Sequence, residues 1–369
     1  MKSDLKKVLS KVRQYNLNDY TVVVFGAGNT SLLYQKCFER EGIHPVFYID
    51  NSEAKQGTVF QGVSVISVEK LVSLQKTFSK PILVIICSAQ IAVCNQIQLQ
   101  LQKYGLTYVT VDAFVFRKNA DKIKTVCDSL ADDFSRDVYI QLIKSRVLNS
   151  TVSESAVNNE QYFLLPQFLV RSEKEVFVDL GAYVGDSIEQ YINRKLGVFG
   201  KIYAFEPDTI NFSALKHRSA RLKNEWALSE QKLILVNGGV GSKTEKMYIS
   251  PSPAIINTEN NTGSARLGAN LNSDRTDGTE VMVHALDDYF KEQKVSFLKA
   301  DIESYELDML HGAESIIKRD KPLLAVCIYH NASDMFTIPL FIKELCSDYK
   351  LSIRHHTYDF AETVLYAYI

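Results

Sequence analysis

Short uninterrupted apolar runs alternate with stretches in which apolar residues recur every three or four positions, and the alternation occurs twice along the chain. In the first half the runs fall at 21–25, 46–49, 81–87 and 108–111, with helical patterns at 31–41 and 89–104 between them. In the second half they fall at 176–178, 202–205, 233–236, 295–300, 323–329, 349–354 and 363–368. Helical patterns at 186–196, 209–220 and 338–345 separate them, as does one after 303 in which Leu307, Leu310 and Ile317 share a face. Runs of this kind suit strands buried on both faces, and strands alternating with helices imply parallel sheets. The pattern predicts an α/β chain with two Rossmann-like domains, the C-terminal one seven-stranded.

The rest of the chain sets the boundaries. Residues 2–19 form an expected helix, with Leu5, Val8, Leu9 and Val12 on one face. Residues 117–172 are polar with helical spacing (Ile123, Val126, Leu130, then Val138, Leu142, Ile143, Val147), and 149–160 are rich in Ser, Asn and Glu. We read domains at 1–120 and 173–369 joined by a helical connector at 121–172. Residues 251–280 are polar and aperiodic, too long for a plain connection, and are read as a substrate loop.

Composition narrows the function classes. The chain has 369 residues, 46% hydrophobic and 23% charged, with a formal net charge of −1. That is an ordinary globular balance with room for two cores. No long basic run supports nucleic-acid or anionic-membrane binding. No apolar run reaches the length that spans a bilayer, and the N-terminal stretch lacks a signal-peptide core. The six cysteines include no Cys-x-x-Cys pair and read as reduced thiols of a cytoplasmic protein.

The stretch 175–208, EVFVDLGAYVGDSIEQYINRKLGVFGKIYAFEPD, is strand, glycine turn, helix, strand and acid. Asp179 precedes Gly181, Ala182 and Gly185; Asp186 and Ser187 open the helix; Glu206, Pro207 and Asp208 follow the second strand. Glycines let a ligand approach the backbone, and an acid about twenty residues on can accept hydrogen bonds from a ribose diol. The first half carries a second such unit, with Gly26 and Gly28 in the turn, Ser31 in the third glycine's place and Asp50 at the strand end. It is read either as a second nucleotide site or as a scaffold that keeps its glycines for backbone freedom.

The wording VFVDLGAYVGD and YAFEPD resembles FkbM-type class I methyltransferases, and the likeness runs from Gln161-Tyr162-Phe163 to the C-terminus. It implies S-adenosylmethionine as cofactor, with Asp179 and the glycine turn toward its methionine end, Glu206 on the ribose, Asp208 beside it, and Asn237 and Gly238 near the adenine. Residues 299–306, KADIESYE, resemble the family's K-x-D-I-E-G-A-E, with Ser304-Tyr305 in place of Gly-Ala. Tyr162 is a candidate to cover the cofactor.

Strand ends in parallel sheets carry ligands, so Asp179, Glu206, Asp301 and His330 are expected to meet in one crevice. Methyl transfer to a hydroxyl needs alignment and a base, for which Asp301 and His330 are candidates with Glu303 beside them. A helix N-cap is the alternative for Asp301 and a core histidine for His330. No metal is assigned, though Asp301, Glu303 and His330 suit a divalent cation and leave one open. His355 and His356 face opposite sides of a strand, so at most one lines the pocket.

The resemblance implies an O-methyltransferase for a hydroxyl of a sugar or glycan, in a surface-polysaccharide or secondary-metabolite pathway, with a small-molecule or glycan substrate. An NAD-linked sugar oxidoreductase or epimerase, and a non-catalytic nucleotide-binding partner, are the alternatives. A homo-oligomer is left open.

Overall fold

A computed structural model describes residues 2–250, 266–268 and 279–369. The chain divides into two compact units: Met1–Val157 with Tyr329–Phe336 and His355–Glu362, and Asn158–Ile328 with Thr337–Arg354 and Thr363–Ile369. Among the described residues no helix is long and apolar enough to cross a membrane.

The first unit contains β1 (Thr21–Phe25), β2 (Phe47–Ile49), β3 (Val59–Phe60), β4 (Val63–Ile66), β5 (Ile82–Ile86) and β6 (Thr107–Thr110). They form one sheet in the order β3-β4-β2-β1-β5-β6, parallel except for the β3–β4 pair. The sequence of β5, Ile-Leu-Val-Ile-Ile, is buried at every position, as a central parallel strand requires. The helix expected over 31–41 comes in two pieces, Asn29–Leu33 and Gln35–Glu41.

Three helices follow: Val111–Lys118, Ala120–Ser129 and Asp133–Leu148. Thr110 and Asp132 cap the first and third by accepting from the N–H groups of Ala113 and Ser135. All three cluster with the first unit. Arg146 explains why. Its buried guanidinium donates to the carbonyls of Tyr329 (2.7 Å) and Phe360 (2.8 Å), and Tyr139 Oη donates to Met335 O (3.0 Å). A buried cation must find acceptors, and two segments far along the chain supply them. Sequence periodicity carries no trace of such a contact.

The second unit contains β7 (Ser172–Leu180), β8 (Phe199–Phe205), β9 (Leu233–Val236), β10 (Gly239–Val240), β11 (Glu245–Ser250), β12 (Arg266–Gly268), β13 (Thr279–His284), β14 (Phe297–Ala300), β15 (Leu323–Cys327), β16 (Lys350–His355) and β17 (Thr363–Tyr368). Seven of these form the expected class I methyltransferase sheet, in the order β16-β17-β15-β14-β7-β8-β9. β17 runs antiparallel to β15, and β15-β14-β7-β8-β9 are parallel. A smaller sheet, β10-β13-β11-β12, was not anticipated. The substrate loop read over 251–280 lies outside the described residues, apart from β12 and the start of β13.

An aromatic core fixes the first crossover. Phe177 on β7 stacks on Tyr191 of helix Asp186–Lys195 (centroids 4.3 Å apart, planes 21° apart) and lies 4.7 Å from Phe297 on β14. Buried rings contribute large apolar areas, so this cluster locks helix and strands into one frame beneath the glycine turn. The helix expected after 303 is broken into Glu306–His311 and Glu314–Asp320. The break is at Gly312, where a Cβ would stand 2.0 Å from Gly241 O.

Candidate active site

The registers place the site. Leu180 pairs with Phe205 and with Ala300, and Ala300 with Val326. The next residue on each strand, Gly181, Glu206, Asp301 and Cys327, therefore forms one row along the carboxyl edge, where parallel sheets bind their ligands. Asp179 is one step inside β7 rather than at its end. His330 lies beyond the end of β15 and clusters with the first unit. Of the residues expected at strand ends, Glu206 and Asp301 stand in this row.

The glycine turn is built tightly against its own chain. Gly181 has φ +75°, and a Cβ there would lie 1.9 Å from Asp301 O. Gly181 and Ala182 both donate their N–H groups to Phe205 O (3.1 and 2.9 Å). Gly185 has φ +85°, and its Cβ would meet Leu215 Cδ1 at 2.8 Å. The glycines are required by close packing within the domain, whatever else lies beside them.

Glu206 is buried. Its Oε2 accepts the N–H of Tyr183 and its Oε1 that of Asp208, both at 2.9 Å. Burial pushes its pKa up to about 7, against the pull of those two N–H donors and of the Asn211 side chain. Asp208 caps helix Thr209–Glu225 through Ile210 N (2.8 Å) and Asn211 N (2.9 Å), so its carboxylate already has a structural task. Asn237 holds the strand end by donating to the carbonyls of Glu206 (2.9 Å) and Pro207 (3.3 Å). Gly238 packs on β13, where a Cβ would stand 2.8 Å from Met282 O and 3.3 Å from the His284 ring.

Asp179 is wholly enclosed. Lys299, its register partner on β14, brings Nζ to 3.0 Å from Asp179 Oδ1, and Ser187 donates to Oδ2. Burial raises the Asp179 pKa more than Lys299 and Ser187 lower it. Burial alone would lower Lys299, yet the carboxylates of Asp179 and Asp301 outweigh it and hold the ammonium charged. Lys299 also donates to Gly181 O (2.8 Å) and sits 5.1 Å over the Tyr162 ring. Asp186 occupies the first turn of its helix beside Ser187, close enough to raise Asp179 further.

Asp301 accepts a hydrogen bond from Tyr162 Oη at 2.9 Å. The next helix begins at Glu306 with Tyr305 in the cap position, so Asp301 does not cap it. Between them Glu303 (φ +57°) and Ser304 (φ +74°) are both left-handed. A serine therefore stands in left-handed backbone at 304, where the motif has glycine, at a strain cost of about 1 kcal/mol. Glu306, the last residue of the 299–306 motif, is fully buried, accepts from Ile302 N (2.8 Å) and brings a carboxylate oxygen within 4.8 Å of one on Asp301.

Lys299 opens the same motif, whose wording gives it no role. A lysine inside the apolar run Phe-Leu-Lys-Ala is the signal that could have revealed it, because a buried cation in a central strand demands a partner. Of the histidines at the last strands, His355 is buried and contacts Asp359 O through Nε2 (3.0 Å), and His356 lies just beyond β16.

In the first unit Gly26 (φ +119°) packs against Cys87 O, and Gly28 precedes a helix of only five residues. Asp50 accepts from Ala27 N (3.0 Å), Ser52 N (2.9 Å) and Lys55 Nζ (3.0 Å). Gly26 and Asp50 thus both have contacts within the turn of their own chain.

A seven-stranded, mostly parallel sheet with a glycine turn and acids along its carboxyl edge is a Rossmann-like arrangement that offers a nucleoside site at that edge. Residues 179–360 match the methyltransferase FkbM domain, and this part of the chain belongs to that family. Among solved structures, the methyltransferase FkbM from Methylobacillus flagellatus KT is 21% identical, aligned over 99% of this chain and 93% of that one with a TM-score of 0.55. An rRNA methylase from Streptococcus thermophilus aligns over 54% of this chain and 87% of its own (13% identity, TM-score 0.33). UDP-D-quinovosamine 4-dehydrogenase from Vibrio fischeri aligns over 28% and 86% (24% identity, TM-score 0.22). No match was found among curated proteins.

Proposed function

We propose that the chain is an O-methyltransferase acting on a hydroxyl of a sugar or glycan, of the kind found in surface polysaccharides or secondary metabolites. The observation that carries this reading is Asp301, held by Tyr162 at the carboxyl edge in the same row as Gly181 and Glu206. The residues present fit the cofactor. Glu206 offers a buried carboxylate, held by a main-chain donor on each oxygen, with the acceptor chemistry that a ribose hydroxyl needs. When bound, S-adenosylmethionine supplies a methyl group made electrophilic by a cationic sulfonium.

The chain's own residues do the rest. Gly181 and Ala182 bring backbone to the edge, and Asn237 fixes the strand end beside them. Tyr162 orients the Asp301 carboxylate, which accepts the proton of the acceptor hydroxyl as that oxygen is methylated. Lys299 ties the loop at Gly181 to the strand that carries Asp301. The acidic character of Asp301 and Glu306 also favours a cationic ligand beside them.

The test is mass spectrometry of cell-surface glycans with and without the intact protein, with the mass difference of one methyl group expected. With the acceptor in hand, Asp301→Asn lowers turnover by roughly 10²–10⁴-fold with cofactor affinity nearly unchanged. Full turnover in that variant would remove Asp301 as the base, and binding of NADH in place of S-adenosylmethionine would overturn the reading altogether.

A further inference from the structure

The first unit has a cleft of about 400 Å³ that the methyltransferase reading does not use. Its walls come from three separate stretches: residues 13–18, the end of helix Gln35–Glu41, and helix Val111–Lys118. That volume is in the range of small-molecule sites. Phe114 is buried and lines it, and Tyr15 adds a half-buried ring with Arg13 over its face at 5.4 Å.

The charges in the cleft do not cancel. Glu41 is its acidic wall, and its carboxylate is already taken by Lys118 (3.0 Å) and Asn119 (3.0 Å). Lys118 also donates to Glu41 O (2.7 Å), which answers the exposed carbonyl at that helix end. Arg13 and Arg117 remain, and neither has a carboxylate partner among the described residues. Arg117 Nε is moreover buried without an acceptor there. An enclosed guanidinium N–H with no acceptor is costly, and native structures resolve it with an ion, a water or a ligand.

We propose that this cleft binds a phosphate-bearing small molecule. Two guanidinium groups match phosphate oxygens in pairs, and the Tyr15 ring beside Arg13 gives the cleft an aromatic wall against which a ring attached to the phosphate can pack. A sugar phosphate and a nucleotide share this chemistry.

Calorimetry on the full-length protein separates them, using pyrophosphate, glucose 1-phosphate and uridine monophosphate as probes. Pyrophosphate is expected to bind saturably, and the probe whose ring suits Tyr15 to bind more tightly. Arg13→Gln and Arg117→Gln should each weaken binding about 10–100-fold, as loss of a charged hydrogen bond does. Tyr15→Ala should weaken only the ring-bearing probe. S-Adenosylmethionine binding should be the same in all three variants. Arg13 is exposed, so its variant decides the matter if Arg117→Gln does not fold. Absence of saturable binding with all three probes, or affinity unchanged by the arginine substitutions, overturns the proposal.

Discussion

Lys299 on β14 stands directly opposite Asp179 on β7, and its ammonium lies 3.0 Å from Asp179 Oδ1 with both side chains almost fully enclosed. The pair joins the strand that leads into the glycine turn to the strand that leads into Asp301. Removing one partner leaves the other charge buried alone, which costs about 3–5 kcal/mol. Lys299→Met should lower stability by that amount in denaturant titrations. Asp179→Asn in the same chain should recover part of the loss, because the stranded carboxylate is gone. Equal stability of Lys299→Met and the parent would show that the pair is not a structural tie.

Gly181 and Asp301 are packed so closely that no side chain fits between them. Gly181→Ala combines left-handed backbone with a clash against a carbonyl, and should cost at least about 3 kcal/mol. Thermal unfolding measures the loss, and cofactor titration should show weaker binding where the variant folds. A melting temperature unchanged by the substitution would contradict the close approach.

The acid at the end of β8 should make cofactor binding depend on pH. Burial raises the Glu206 pKa to about 7. Below that value Glu206 is protonated and has fewer lone pairs to offer a diol; above it the carboxylate accepts fully. Affinity for S-adenosylmethionine should therefore rise as pH increases through about 7. Glu206→Gln should bind more weakly above that pH and lose the dependence. Calorimetry over the range checks both, and a flat profile in the parent would remove Glu206 from the ribose.

Acid stability should report on His355. Burial, with Arg146 nearby, lowers its pKa from 6.5 to about 4. The folded state keeps it neutral while the unfolded state takes up a proton, so its stabilisation is full above pH 6.5 and declines as pH falls toward 4. The linkage amounts to about 3 kcal/mol. Glu206 acts in the opposite sense, since its raised pKa costs stability as pH rises from 4.5 toward 7. The measurement therefore compares parent with His355→Asn in chemical denaturation at several pH values. The parent should lose more stability on acidification than the variant, and parallel curves would show that His355 titrates alike in both states.

The sequence by itself determined the architecture of the second unit and most of its strands. Apolar runs bounded by glycine or charge are a local property, and 233–236 and 363–368 coincide with β9 and β17 to the residue. The turn at Gly181 and the acid at Glu206 were legible for the same reason, since both follow from residue type at fixed spacing. Three things were decided by tertiary contact alone. Arg146 drew Tyr329–Phe336 and His355–Glu362 into the first unit through carbonyls 183 and 214 residues away, and with them His330. Strand register set Lys299 against Asp179, turning a motif acid into a buried ion pair. The close approach at Gly181 turned a glycine expected to face a ligand into one that its own chain requires. Each depends on what lies across the sheet or across the chain, where burial makes an unpaired charge or a crowded atom expensive, and periodicity along one segment carries no information about its neighbour.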